Sequence, residues 1–125
     1  MSNTIPTLKL DFASPQTTIA SFAEVDDALT AALGAASEAL LEKQLAYDKT
    51  RDARELEIRS NAAVKVTEGY VSTSVSADPE VSALLDVCER AKLEVASIRA
   101  GIASLERKHS LYKYWLASQR PVGLD

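Results

Sequence analysis

The segment from Val81 to Leu116 has the most regular spacing of apolar residues in the chain and reads VSALLDVCERAKLEVASIRAGIASLERKHSLYKYWL. Along it, apolar or buriable side chains recur in steps that alternate between three and four residues. These seam positions are Val81, Leu84, Cys88, Ala91, Val95, Ile98, Ile102, Leu105, His109, Tyr112 and Leu116. The spacing is a heptad pattern of about five repeats, and it predicts one long helix with a continuous apolar seam.

Both ends of this helix carry recognisable signals. Asp78 suits the N-cap, Pro79 suits the first helical position and Glu80 suits the first turn. At the other end, Arg120-Pro121 predicts that the helix stops there, because proline cannot continue the backbone hydrogen bonds.

A first long helix is predicted upstream, from Ser21 to about Asn61. Ser21 and Glu24 have the spacing of a capping box, in which the serine hydroxyl and the glutamate carboxylate satisfy backbone N–H groups reciprocally. The apolar stripe of this helix is interrupted at Lys43, Thr50 and Arg54. We therefore expect it to cover the seam of the second helix only in part.

The remaining segments complete the expected architecture. Thr67 followed by Glu68 predicts a short capped helix through Val75 within the connection 62–78. Leu8, Leu10 and Phe12 alternate with polar residues, which suits a short strand. That segment is either a tail, free or packed, or an arm that pairs with a neighbouring subunit.

The predicted fold class is therefore all-α. It is a long antiparallel helical hairpin with a short helical connection, and it divides into an extended N-terminal arm (1–20), a hairpin domain (21–120) and a C-terminal tail (121–125). Because the seam is too extensive for one patchy partner helix, we expect a homo-oligomer. The expected interface residues are Val81, Leu84, Val95, Ile98, Ile102 and Leu105.

Composition limits the classes of function. The chain has 125 residues, a net charge of −4 and a single cysteine, so no disulfide can form within it, and a reducing cytoplasm fits best. The N-terminus lacks the pattern of a signal peptide, and no apolar run suits a membrane span, so we expect no membrane partner.

No catalytic constellation stands out, and we do not expect an enzyme. Cys88 and His109 both fall on the seam, where a thiol and an imidazole usually pack rather than react. A single histidine without a second thiol or histidine does not form a recognisable metal site. We expect neither a metal nor a cofactor.

Two basic regions suggest binding to a polyanion, because cations that neutralise phosphates release counterions. In the first helix and the connection they are Lys49, Arg51, Arg54, Arg59 and Lys65. Helical ion pairs on a solvated face are the competing interpretation. Near the end of the second helix they are Arg107, Lys108 and Lys113, interleaved with Tyr112, Tyr114 and Trp115. Mixed basic and aromatic surfaces suit single strands, whereas packing anchors are the competing interpretation.

The run Val71-Ser-Thr-Ser-Val75-Ser-Ala-Asp78-Pro-Glu-Val81 resembles the central segment of UvsY-type phage recombination mediators. Lys49-Thr-Arg51 resembles the basic Lys-x-Arg pair of that family, set a similar distance upstream. The resemblance covers roughly residues 40–120. The overall acidity, the N-terminal segment and the acidic start of the first helix depart from the pattern.

This resemblance implies a recombination mediator that binds single-stranded DNA as a ring-like homo-oligomer. Such a protein helps load a RecA-like recombinase onto strands coated by single-strand-binding protein, here in the cytoplasm of the host cell if the chain is phage-encoded. By motif match, Lys49 and Arg51 would contact phosphates. The alternative is a small helical phage module that binds only proteins, as a host-system inhibitor, an assembly chaperone or an adaptor.

Overall fold

A computed structural model describes residues 4–61 and 66–119, and within these ranges the chain is all-α, as predicted. Helix α1 spans Pro15–Asn61, α2 spans Glu68–Ala77 and α3 spans Pro79–Ser118. Neither range contains a strand. None of the helices so described is long and apolar enough to cross a membrane. The predicted C-terminal tail lies outside the described residues.

The described residues fall into two compact units. One combines residues up to 35 with residues from 96 onward, and the other comprises residues 36–95. We call them the terminal unit and the central unit. Helices α1 and α3 each contribute to both units.

The terminal unit packs the beginning of α1 against the end of α3. Its buried core consists of Phe22, Val25 and Leu29 from α1 with Leu105 and Tyr112 from α3. Partly buried side chains complete this core: Leu8, Ile98, Ile102, Trp115 and Leu116. Apolar burial of this kind is the main favourable contribution to folding.

Helix α1 begins at Pro15, so the prediction of a start at Ser21 was wrong. The backbone N–H of Thr17 donates to the hydroxyl of Ser14 at 3.4 Å, and proline at the next position needs no hydrogen-bond acceptor. Ser21 instead lies inside the helix, where its hydroxyl accepts a hydrogen bond from the N–H of Lys9 at 2.8 Å. The extended arm is therefore shorter than residues 1–20.

The predicted strand at Leu8 to Phe12 does not form. The N–H of Lys9 and the N–H of Asp11, two residues apart, donate to the hydroxyls of Ser21 and Thr18, each at 2.8 Å. The Thr18 hydroxyl in turn donates to the carbonyl of Asp11 at 2.9 Å. The alternating backbone groups that a neighbouring strand would pair are thus paired by helix side chains.

The central unit has its own core, formed by Val71 and Val75 of α2 and Val81 of α3. Tyr47, Ile58 and Val66 are partly buried against it. The predicted cap of α2 is confirmed, since the Thr67 side chain accepts a hydrogen bond from the N–H of Tyr70, although the helix continues to Ala77 rather than Val75.

The predicted seam of α3 points inward along its whole length. Each seam residue is buried or half-buried within a single chain. Val81, Val95 and Leu105, three of the expected interface residues, are already covered in this way. The role of the seam in an oligomer therefore stays a prediction. If the seam were an interface, the chain would have to exchange its own contacts for those of another subunit.

Phe22 provides a test of the core of the terminal unit. Its side chain is 3% exposed, and replacing a buried phenylalanine by alanine leaves a cavity that the surroundings fill only partly. We expect Phe22→Ala to lower the free energy of unfolding by about 3–5 kcal/mol, measured by urea denaturation. Tyr114→Ala is the matched control, because Tyr114 is 79% exposed and its replacement should cost about 0.5 kcal/mol or less. Equal destabilisation of the two variants would contradict this core.

Candidate nucleic-acid interface

Arg54 forms ion pairs with the start of α3. It is one of the five basic residues predicted to bind DNA along α1 and the connection. Its Nε donates to Oδ2 of Asp78 at 3.0 Å, and its guanidinium also pairs with Glu80. The other carboxylate oxygen of Asp78 accepts the N–H groups of Glu80 and Val81, at 2.9 and 3.1 Å. One carboxylate therefore caps α3 and holds α1 beside it.

These contacts shift the pKa values of both groups. The N–H of Val81 and the guanidinium of Arg54 hold the pKa of Asp78 below its ordinary value. The hydrogen bond from Arg54 to Asp78 holds the pKa of Arg54 above its ordinary value. Both groups are fully charged at neutral pH, and their pairing links the ends of two helices in the central unit.

Arg59 and Arg51 are also paired with carboxylates. Arg59 bonds Glu55 at 3.1 Å and Glu68 at 2.7 Å, and the hydrogen bond from Arg59 lowers the pKa of Glu68. The guanidinium of Arg51 lies 3.5 Å from Asp48 and 3.3 Å from Asp52, and 5.5 Å from the centre of the Tyr47 ring. These contacts favour the interpretation of a solvated, ion-paired face.

Lys49 differs from these arginines. It is exposed and makes no ion pair with any residue in the described ranges. Lys65 lies outside the described residues. Of the basic set on α1, Lys49 is therefore the residue most available to a phosphate, and the DNA-binding role of the whole set stays a prediction.

The aromatic residues near the end of α3 divide between core and surface. Tyr112 is 4% exposed, and its ring lies 5.8 Å from that of Phe22 and 5.8 Å from that of Trp115. Trp115 is half-buried. The packing interpretation therefore describes Tyr112, whereas Trp115 retains some accessible surface.

The cations of this region are exposed and lack ion-pair partners among residues 4–61 and 66–119. They are Arg107, Lys108 and Lys113. Residues three and four apart share a helix face, so Arg107 lies with Leu111 and Tyr114, and Lys108 lies with Leu111 and Trp115. Arg107 and Lys108 thus occupy one outward flank of α3, and Lys113 projects from another side.

One exposed aromatic residue on this surface, Phe12, was not predicted, whereas another, Tyr114, belongs to the predicted basic and aromatic run. Tyr114 is 79% exposed and Phe12 is 55% exposed, and the Phe12 ring meets that of Trp115 edge-on at 4.7 Å. No local signal identifies Phe12, because its position depends on the turn that the N-terminal segment makes before α1.

A groove of about 300 Å³ lies between the N-terminal segment and α3. Its lining consists of Leu10, Phe12, Lys108, Leu111, Tyr112 and Trp115. The surface is almost entirely apolar apart from Lys108. The Tyr112 hydroxyl is buried and has no hydrogen-bond partner among the described residues.

His109 and Cys88 are packed on the seam. The imidazole of His109 stacks on Phe22 with ring centres 4.6 Å apart, and Cys88 is a buried free thiol. In the part of the chain that the structure describes, no three His, Cys, Asp or Glu side chains lie close enough together to hold a metal ion.

No protein-family model matches this sequence, and no curated protein or solved structure matches it either.

The Asp78 cap is tested by two substitutions. Asp78→Asn keeps a side chain that can cap α3 but removes the charge that Arg54 binds, whereas Asp78→Ala removes both. We expect the urea midpoint, followed by circular dichroism at neutral pH, to fall for Asn and to fall further for Ala.

The pH dependence distinguishes the charge from the cap. A carboxyl whose pKa is lowered by folding stabilises the protein above its unfolded pKa, and this contribution is lost as the pH falls through the folded pKa. The difference between the wild type and Asp78→Asn should therefore shrink below about pH 4. A difference that is constant from neutral to acidic pH would show that the charge of Asp78 contributes nothing to stability.

Proposed function

We propose that this protein is a non-catalytic recombination mediator that binds single-stranded DNA. It helps load a RecA-like recombinase onto strands coated by single-strand-binding protein, in the cytoplasm of the host cell if the chain is phage-encoded. The observation that carries the proposal is the end of α3, where Arg107 and Lys108 are exposed on the flank that carries Tyr114, and Lys108 lines a groove with Phe12. Exposed cations attract the phosphate backbone, and exposed rings provide platforms for bases.

In the structure, the arginines of α1 are less suitable as the main DNA contact than the sequence suggested. Arg54 and Arg59 would have to exchange carboxylate partners for phosphates, and Arg54 would also release the cap of α3. Lys49 requires no such exchange. We therefore propose Lys49 as the α1 contact, with Arg51 joining it when a phosphate displaces Asp48 and Asp52.

The resemblance to UvsY-type mediators supports the same function from an independent direction. The resemblance is sharpest at Asp78-Pro79, the capped start of α3, and the run from Val71 to Val81 also includes most of α2. We further propose that the helices form an antiparallel hairpin and that several copies assemble into a closed oligomer. Because the α3 seam is covered within one chain, exposed leucines elsewhere are better placed to mediate that assembly.

The second candidate function, a module that binds only proteins, is favoured by those same leucines. In the central unit, Leu41, Leu45 and Leu93 are 56%, 60% and 70% exposed. Leu41 and Leu45 are four residues apart and share one face of α1. Exposed apolar side chains grouped on one face mark protein-interaction sites more often than nucleic-acid sites.

Salt-dependent DNA binding separates the two candidates. A fluorescently labelled single-stranded oligonucleotide should bind the full chain at low salt, with an affinity that falls steeply as salt is added. The double variant Arg107→Ala with Lys108→Ala should weaken binding. It should also make the slope of log affinity against log salt shallower by about 0.7 for each phosphate that the variant no longer neutralises. Fluorescence anisotropy measures both effects.

Lys92→Ala is the matched control, because Lys92 is an exposed lysine of α3 that already pairs with Glu89. It should leave the slope unchanged. Reversing the charges of Lys49 and Arg51 should also weaken binding, whereas unchanged binding would show that the strand avoids α1. No binding by the wild type at low salt would contradict the mediator and favour the protein-interaction module. Light scattering on the same samples should detect a closed oligomer.

A further inference from the structure

We propose that the groove between the N-terminal segment and α3 is a stacking site for one nucleobase of single-stranded DNA. This inference rests on the proposed function and adds to it a specific place where the strand is held by a base rather than by phosphates alone. In the described part of the chain, the groove is lined by Phe12, Trp115 and four other side chains, of which only Lys108 is charged.

The size and lining of the groove suit a flat, largely apolar ring. Its volume of about 300 Å³ is at the lower end of the range for small-molecule sites. Among residues 4–61 and 66–119, no carboxylate lines the groove, so these residues would not repel the phosphates on either side of an inserted base. Lys108 within the lining and Arg107 beside it on α3 provide the matching positive charge.

The aromatic rings leave surface for an additional partner. Phe12 and Trp115 meet edge to face, at an angle of 72° between the ring planes, and Phe12 remains 55% exposed. In this edge-to-face arrangement, neither ring covers both faces of the other. A base can therefore stack on an open face, which is the usual way in which proteins hold single strands without reading their sequence.

Phe12 is held in place before any ligand binds. The segment that carries it is fixed to α1 by hydrogen bonds from Lys9 to Ser21 and from Asp11 to Thr18. The turn after Phe12 is closed by the N–H of Ser14, which donates to the carbonyl of Asp11 at 3.1 Å. Ordering a flexible ring would cost conformational entropy, and a fixed ring avoids much of that cost.

One residue of the lining, Tyr112, carries a hydroxyl group without a hydrogen-bond partner among the described residues. The side chain of Tyr112 is 96% buried, since 4% is exposed. Buried hydroxyl groups in folded proteins are normally hydrogen-bonded. Because the hydroxyl oxygen is itself buried, a base in the groove would reach it only after the lining side chains move.

Trp115 makes the test direct, because it is the only tryptophan of the chain. The full-length protein is titrated at low salt with an oligothymidine and, separately, with an abasic oligonucleotide of the same length. Stacking should quench the Trp115 fluorescence with oligothymidine and should leave it nearly unchanged with the abasic strand. Phe12→Leu, which keeps an apolar side chain but removes the ring, should weaken oligothymidine binding about tenfold and leave abasic binding unaffected.

Tyr70→Leu is the matched control, because Tyr70 is an exposed aromatic residue of the central unit, and it should change neither titration. Circular dichroism confirms that each variant is folded. Equal affinity for the two strands, or wild-type affinity of Phe12→Leu for oligothymidine, would overturn the stacking site while leaving phosphate binding, and so the proposed function, intact. Failure to bind either strand would overturn both. Quenching by an added recombinase but not by DNA would identify the groove as a protein-binding site and overturn the inference.

Discussion

The apolar seam of α3 determines how the other elements of the structure pack, because they must cover it. A helix of 40 residues with one continuous apolar stripe is stable in water only if that stripe is covered along its length. In the terminal unit the beginning of α1 and Leu8 supply the cover, and in the central unit α2 and the later part of α1 supply it. Because the seam faces inward, the helix has a definite outer flank, and that flank carries Arg107, Lys108 and Tyr114.

The packing of the helices also determines which cations are available to bind a phosphate. The arginines of α1 lie beside carboxylates of α1, α2 and the α3 cap, so their charges are neutralised locally. The outer flank at the end of α3 has no such neighbours among the described residues. A chain with a net charge of −4 can therefore still present a basic surface, since its acidic residues are concentrated elsewhere. Net charge alone is therefore a poor guide to the charge of a local surface of this protein.

Local signals predicted the helices well and tertiary contacts poorly. The caps at Thr67 and Asp78 were predictable because each involves atoms within three residues of one another. The start of α1 was not, since the capping box predicted at Ser21 and Glu24 lies inside the helix, where the hydroxyl of Ser21 accepts the N–H of Lys9 instead. Likewise, the alternation around Leu10 resembles a strand until helix hydroxyls take its N–H groups. Phe12 was missed for the same reason, because its position is set by contacts distant in sequence.

We propose that single-stranded DNA contacts the outer flank of α3 and the adjoining turn more closely than the paired arginines of α1. Photo-crosslinking to an oligonucleotide that carries halogenated uracil, followed by mass spectrometry, tests it most directly, since aromatic side chains that stack on a base are efficiently captured. We expect crosslinks at Phe12, Tyr114 or Trp115. Crosslinks confined to α1 between Lys49 and Arg59 would contradict it.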